Sequence, residues 1–236
     1  ELRGENVLEI IEEVLKIFAA NGLFDEGIEL IGSWSFLVYQ NYLGARSLPF
    51  VTHDVDFLIP NPFHGKDHPE LLEQLERLGF RHDFRSDGSI FLWKSDFVIE
   101  FLTPERGSGS PHAINIKKLG LKATPLRYVG LLLEDPVTVS VEGIKVRVPN
   151  PANYFFHKLI VSARRKNPAK SGKDLEQAIC TSIIVKPEAM VSRFKKFPKG
   201  WQADIRKVLA RAEKSLPLYS REIKRINLAL QSAAKP

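Results

Sequence analysis

The sequence holds one cysteine, Cys180, and one methionine in 236 residues. That scarcity excludes an internal disulfide framework and a cysteine-rich zinc site, and it fits a reducing compartment. Cys180 itself reads as a small buried apolar residue. No apolar run reaches the ~20 residues that span a bilayer, and the N-terminus lacks the charged-then-apolar order of a secretory signal. A soluble, cytoplasmic protein with no membrane partner is therefore expected. Because the first residue is not Met, a few residues are expected to precede Glu1 in the longer chain. Internal repeats and low-complexity tracts are absent as well.

What is present is a core-forming composition, 44% hydrophobic, enough for one compact domain or two small ones. The formal net charge is +6 with a pI near 9.3, a balance that suits phosphates and equally suits a solvated surface. The acids lean toward the N-terminal half. Arg164, Arg165, Lys166, Lys170 and Lys173 cluster later, and a second basic group runs from Arg193 to Lys199.

Periodicity divides the chain near Pro149–Pro151. Over residues 5–20, Val7, Leu8, Ile11, Val14, Leu15 and Phe18 recur at helical spacing and stop at Asn21–Gly22. Glu29–Ile31 then reads as a short strand, Gly32–Ser33 as a turn, and the stretch carrying Phe36, Leu37, Tyr39 and Leu43 as a helix ending near Gly44. Residues 51–59 predict a strand, 68–79 a helix, and 90–93 and 97–102 two strands joined around Lys94–Ser95. Residues 103–125, rich in Gly, Ser, Pro and Lys, predict a long surface loop. A short helix at 126–133 and a hairpin, 137–141 with 144–148, complete a mixed α/β half (1–149). From residue 150 onward the pattern is helical, with segments at 151–165, 171–183, 187–196, 200–214 and 219–231.

The chemistry-bearing residues lie in the first half. Asp54 and Asp56, one residue apart on a strand, point to the same face, and two adjacent like charges call for compensation that a divalent cation supplies. The wet face of an edge strand carries the same pattern. Gly32 lets the backbone approach a phosphate, and Ser33 adds a hydroxyl beside a helix N-terminus, although a Gly-Ser pair is also an ordinary helix start. Glu100 shares a strand face with Val98 while Phe97, Ile99 and Phe101 take the other. It could complete a metal site or accept a proton from an attacking hydroxyl; a salt bridge to a nearby Arg or Lys is the alternative.

In that order, IGSWSFLVYQ, THDVDFL and VIEFL resemble the Gly-Ser, Asp-x-Asp and third-carboxylate motifs of the polymerase-beta-like nucleotidyltransferase superfamily. Within it the chain is similar to bacterial nucleotidyltransferase-fold proteins and, more distantly, to the nucleotidyltransferase toxins of toxin–antitoxin systems. The toxins share a helix with a Lys-Leu pair, then basic residues and Lys-Asp, here NYFFHKLIVSARR and KSGKDLEQA. The resemblance implies an α+β fold, a mixed sheet flanked by helices and followed by an α-helical C-terminal region. It implies metal-binding catalytic residues Asp54, Asp56 and Glu100, and nucleotide-binding residues Gly32, Ser33, Lys158, Lys173 and Asp174. It further implies two Mg2+ ions, with Mn2+ as a substitute, and transfer of a nucleoside monophosphate from an NTP to a hydroxyl acceptor such as RNA or protein. The alternative is an inactive nucleotide- or RNA-binding module. The chain departs from the pattern in its bulky Trp34 after the turn and in Glu100, where the superfamily usually has Asp.

Other polar residues read more plainly. His53 faces away from both aspartates, and His64 and His68 lack partners for a zinc site. Lys117, Lys118, Lys122 and Arg127 could guide a phosphate or form a solvated surface, and Arg106 beside Gly107–Ser108–Gly109 could make a mobile phosphate contact. Tyr154, Phe155 and Phe156 are expected to include core positions.

Overall fold

The computed structural model describes residues 7–107, 109 and 112–232. The expected helix residues Glu5 and Asn6, and Ser108 of the Gly-Ser-Gly stretch, lie outside them. The chain separates into two compact units, Glu1–Ser35 with Val51–Pro149, and Phe36–Phe50 with Asn150–Pro236.

The first unit is built on a mixed sheet. Helix α1 (Val7–Ala20) buries Ile11, Val14, Leu15 and Phe18 on one stripe, with Phe18 stacked on Phe57. It ends where Gly22 takes a positive φ and where the Asn21 side chain donates to Ile17 O at 2.8 Å. Strand β1 (Glu29–Ile31) follows and pairs antiparallel with β2 (Asp54–Leu58). Between them in sequence, α2 (Gly32–Val38) runs into a π-helical turn, Tyr39–Leu43, that stops at Gly44 with φ +81. The chain continues through α3 (Leu71–Arg77), β3 (Arg81–Phe84), β4 (Ile90–Lys94) and β5 (Phe97–Pro104). Across the sheet the order is β1–β2–β5–β4–β3, with β2 and β5 parallel and the other neighbours antiparallel.

Residues 103–125 are not the unstructured loop that their composition predicts. They contain β6 (Ile114–Ile116) and β7 (Leu121–Leu126), which pair with each other, and β7 also pairs in parallel with Leu102–Pro104. The buried set Leu119, Leu121 and Ala123 alternates with Lys118, Lys122 and Thr124. That two-residue period is too short to stand out among Gly, Pro and Lys. Strand β3 also escapes the sequence pattern, because all four of its residues are exposed and only pairing with β4 makes it a strand. The expected helix at 126–133 is a 3-10 turn, Val129–Leu133. The hairpin is present as β8 (Val137–Val141) and β9 (Ile144–Val148), around Glu142 and Gly143 at positive φ.

The second unit is helical: α4 (Pro151–Arg164), α5 (Pro168–Ser182), α6 (Pro187–Lys196), α7 (Lys199–Ser215) and α8 (Ser220–Ser232). Pro opens α4, α5 and α6, and the Asn150 and Asn167 side chains accept from backbone N–H groups to cap the first two. Tyr154, buried as expected, packs its ring edge on Tyr39 and donates to Gln177 at 3.1 Å. Phe156 fills the space between Phe194 and Phe197. The mixed α/β architecture with a helical C-terminal region agrees with the sequence. No helix of the described residues is long and apolar enough to cross a membrane.

Candidate active site

One face of the sheet gathers the carboxylates. Along β2, Val55 and Phe57 are buried while Asp54 is exposed and Asp56 half-buried, so the two acids share the face away from the core. In the parallel pairing Asp54 lies opposite Val98 and Asp56 opposite Glu100. Asp56 and Glu100 are thus neighbours on that face. Asp56 also pairs with Ile31 at the end of β1, and the next residue is Gly32.

Gly32 sits at φ +66, and a Cβ there would overlap the Asp56 carboxylate, 3.0 Å from its Cγ. Only glycine lets the turn and the aspartate come this close, so the start of α2 and the acid pair form a single corner. Ser33 occupies the first turn of α2, and the Ser35 hydroxyl donates to Gly32 O at 3.0 Å. Trp34 is turned inward and buried.

Glu100 takes a partner that the sequence did not name. Arg85, just past the end of β3, donates to Glu100 Oε1 and lies over the Phe91 ring. Among the described residues no group of three or more His, Cys, Asp or Glu side chains is arranged to hold a metal ion. Arg85 was hidden because β3 has no alternation, and the register that brings it beside Glu100 exists only once β3, β4 and β5 have paired.

In the helical unit, Lys158 and Asp174 are both buried and their charged atoms are 2.7 Å apart. Arg165 Nε donates to the second oxygen of Asp174 at 2.6 Å. Burial opposes ionisation of Asp174, but Lys158 and then Arg165 outweigh it and hold the carboxyl below its usual range. Lys173 lies with its ammonium 4.8 Å from the centre of the Phe50 ring. Next to Lys158, the His157 ring nitrogens have no hydrogen-bond partner among the described residues. Burial, reinforced by the Lys158 charge, pushes this imidazole down to about 3.

The family model described as "Nucleotidyltransferase" matches residues 9–195. The chain belongs to this nucleotidyltransferase family. The match spans the Gly32 turn, both aspartates, Glu100 and the Lys158–Asp174 pair, so every candidate position lies inside it. Three solved structures are similar to this nucleotidyltransferase. An antigenic nucleotidyltransferase-like protein from Paracoccidioides brasiliensis shares 13% identity at a TM-score of 0.46, over 91% of this chain and 93% of that one. A solution structure of the antibiotic-resistance factor ANT(2'')-Ia shares 14% at 0.44, over 88% and 95%. A crystal structure of ANT(2'')-Ia with adenylyl-2''-tobramycin shares 13% at 0.42, over 86% and 97%. No curated protein matches the sequence.

The nucleotidyltransferase sheet also buries an acid. Glu29 on β1 pairs with Leu58, two residues beyond Asp56 on the same face, yet it is fully buried. Its nearest cation, Arg147 Nε on β9, is 3.5 Å away, and neither carboxylate oxygen has a hydrogen-bond partner among the described residues. Burial raises Glu29 to about 8, against the opposing pull of Arg147. Four of the other polar candidates are occupied locally. The Lys118 ammonium donates to Gly65 O at 2.6 Å, Arg127 pairs with Glu105 at 2.6 Å, Arg106 donates to Asn61 O, and His68 meets Glu26 at 2.9 Å.

Proposed function

We propose that this nucleotidyltransferase is a divalent-metal-dependent enzyme that moves a nucleoside monophosphate from an NTP to a hydroxyl acceptor. The observation that carries the reading is the corner formed by the Gly32 turn and Asp56, with Asp54 and Glu100 on the same sheet face. In the reaction the acceptor oxygen forms a bond to the α-phosphorus, the bond from that phosphorus to the α–β bridging oxygen breaks, and pyrophosphate leaves with the bonding electrons. The hydroxyl proton passes to a carboxylate, for which Glu100 is the candidate.

The donor set fits Mg2+, with Mn2+ as a substitute: hard carboxylate oxygens, two of them one residue apart on a rigid strand. Asp54 and Asp56 would hold the metal, and Glu100 would join them on release from Arg85. Bound there, it would neutralise phosphate charge and polarise the reacting phosphorus. The chain's own contribution is positional. The Gly32 and Ser33 backbone and the Ser33 hydroxyl receive phosphate oxygens at the start of α2, and Arg85, once exchanged from Glu100, supplies a guanidinium for the developing charge. In the helical unit, Lys173 is proposed as a nucleotide-binding cation, with Lys158 and Asp174 setting the local structure around it.

The test is pyrophosphate release from each of the four NTPs with Mg2+ and total cellular RNA, comparing wild type with Asp54→Ala/Asp56→Ala. Release that disappears in the variant supports the reading and names the nucleotide. Metal-dependent NTP binding with no release from any NTP would replace it with a binding module.

A further inference from the structure

Charge is divided unevenly along this chain. The unit of Glu1–Ser35 and Val51–Pro149 carries 14 Lys and Arg against 22 Asp and Glu, whereas the helical unit carries 20 against 6. Their formal charges are therefore −8 and +14. Among the described residues of the helical unit, 14 cations are exposed but only two acids, Glu188 and Glu213. Of the other acids, Asp174 is held by Lys158 and Arg165, Asp204 by Arg164, and Glu222 by Arg46. Ion pairing within the unit leaves a large positive excess at its surface.

Neither helix stability nor solubility accounts for the excess. Arg193, Lys195 and Lys196 do lie in the last turn of α6, where the helix dipole favours cations. Lys199, however, opens α7 and Lys170 lies in the first turn of α5, where positive charge opposes the dipole, and neither helix has an acid in that turn. The whole molecule's +6 already lies in the range of about 2 to 8 that keeps a small protein soluble, and solubility does not require that charge to be sorted so that one unit carries +14. One dense run, Arg193, Lys195, Lys196 and Lys199, also adjoins Trp201, a half-buried aromatic against Phe197.

We infer that the helical unit binds the phosphodiester backbone of a nucleic acid, and that this strand brings the acceptor hydroxyl. The second clause rests on the transfer reaction proposed above. A nucleic acid fits because it joins a regular line of negative charge to the hydroxyl groups the reaction needs, and RNA carries one on every internal ribose. A lipid surface fits less well: the cations are spread over the α4–α5 and α6–α7 connections and along α7 and α8, and the apolar faces opposite them on those two helices, Ile205, Val208 and Leu209 and Ile223, Ile226 and Leu230, are buried and offer nothing to a bilayer.

The experiment uses the full chain carrying Asp54→Ala/Asp56→Ala, so that binding is read without turnover. Affinity for a labelled single-stranded RNA of about 20 nucleotides is measured by fluorescence anisotropy between about 50 and 200 mM salt. A strand neutralised by four cations gives a slope of about −3 in log K against log salt, roughly a fifty-fold loss over that range. Changing Arg193, Lys195, Lys196 and Lys199 to Gln, with an unchanged melting temperature, is expected to remove most of that slope. Polyglutamate and anionic vesicles should not displace the RNA. No binding at low salt, an undiminished slope in the quadruple variant, or equal displacement by polyglutamate overturns the inference. Pyrophosphate release by wild type without RNA binding would sink this inference and leave the transfer reaction standing. RNA binding without release would do the reverse.

Discussion

Asp56 and Glu100 stand opposite each other on the parallel strands β2 and β5, and the cation that meets Glu100 is Arg85. In the proposed reaction Arg85 would therefore compete with a divalent metal for the third carboxylate. The pair is partly open to water, so Arg85→Gln should lower the Mg2+ concentration for half-maximal turnover by about two- to five-fold, the worth of an exposed ion pair. The same variant should lose maximal rate if the guanidinium also serves the phosphates. A metal titration of initial rates separates the two effects, and an unchanged midpoint would show that Arg85 does not restrain Glu100.

The Gly32 corner makes a sharper demand. Alanine at Gly32 would carry a side chain at positive φ, costing about 1–2 kcal/mol, and its methyl would drive the Asp56 carboxylate aside. A displacement on the order of 1 Å at a reacting centre costs about a hundred-fold in rate. Gly32→Ala should thus fold with a modestly lower melting temperature and lose most of its pyrophosphate release. Full activity in this variant would show that Asp56 can move without cost and is not held by the turn.

Much of this site was legible because it depends on local chemistry. The Asp54–Phe57 alternation, the glycine before a helix and the Phe97–Phe101 alternation are read directly from neighbouring residues. The β8–β9 hairpin was equally plain, since Glu142 and Gly143 mark a tight turn between two apolar runs. What was hidden depends on partners distant in sequence. Strand β3 has no buried residue, so its Arg81–Phe84 run looks like loop until β4 supplies hydrogen bonds. Lys158 and Asp174 carry a motif, but only the packing of α4 against α5 reveals that both are buried and bonded to each other. From sequence Glu29 reads only as the first residue of a short strand, and its burial beside Arg147 follows from where β9 runs.

The buried pair in the helical unit gives a prediction about stability. Asp174→Asn leaves the Lys158 ammonium buried opposite a neutral amide, which costs about 3–5 kcal/mol. Replacing both partners, Lys158→Met with Asp174→Leu, removes both desolvated charges and should recover most of that loss. Urea unfolding of the two variants decides between a structural pair and one held open for ligand. Near-wild-type stability of Asp174→Asn would mean that Lys158 is free to turn to another anion.

Glu29 makes stability depend on pH with a definite sign. Its carboxyl is raised to about 8 in the fold from an ordinary value near 4.5, chiefly by burial. Between those values the native state keeps a proton that the unfolded chain has released, so stability falls as pH rises through that window. Glu29→Gln keeps the neutral shape and has no proton to lose. Arg147, about a third exposed, remains hydrated without its counter-charge. The melting temperature of Glu29→Gln relative to wild type should therefore rise from pH 5 to pH 8, with most of the gain above pH 6. A constant difference across that range would show that Arg147 already keeps Glu29 ionised, and that the buried acid serves as half of an ion pair and not as a protonated carboxyl.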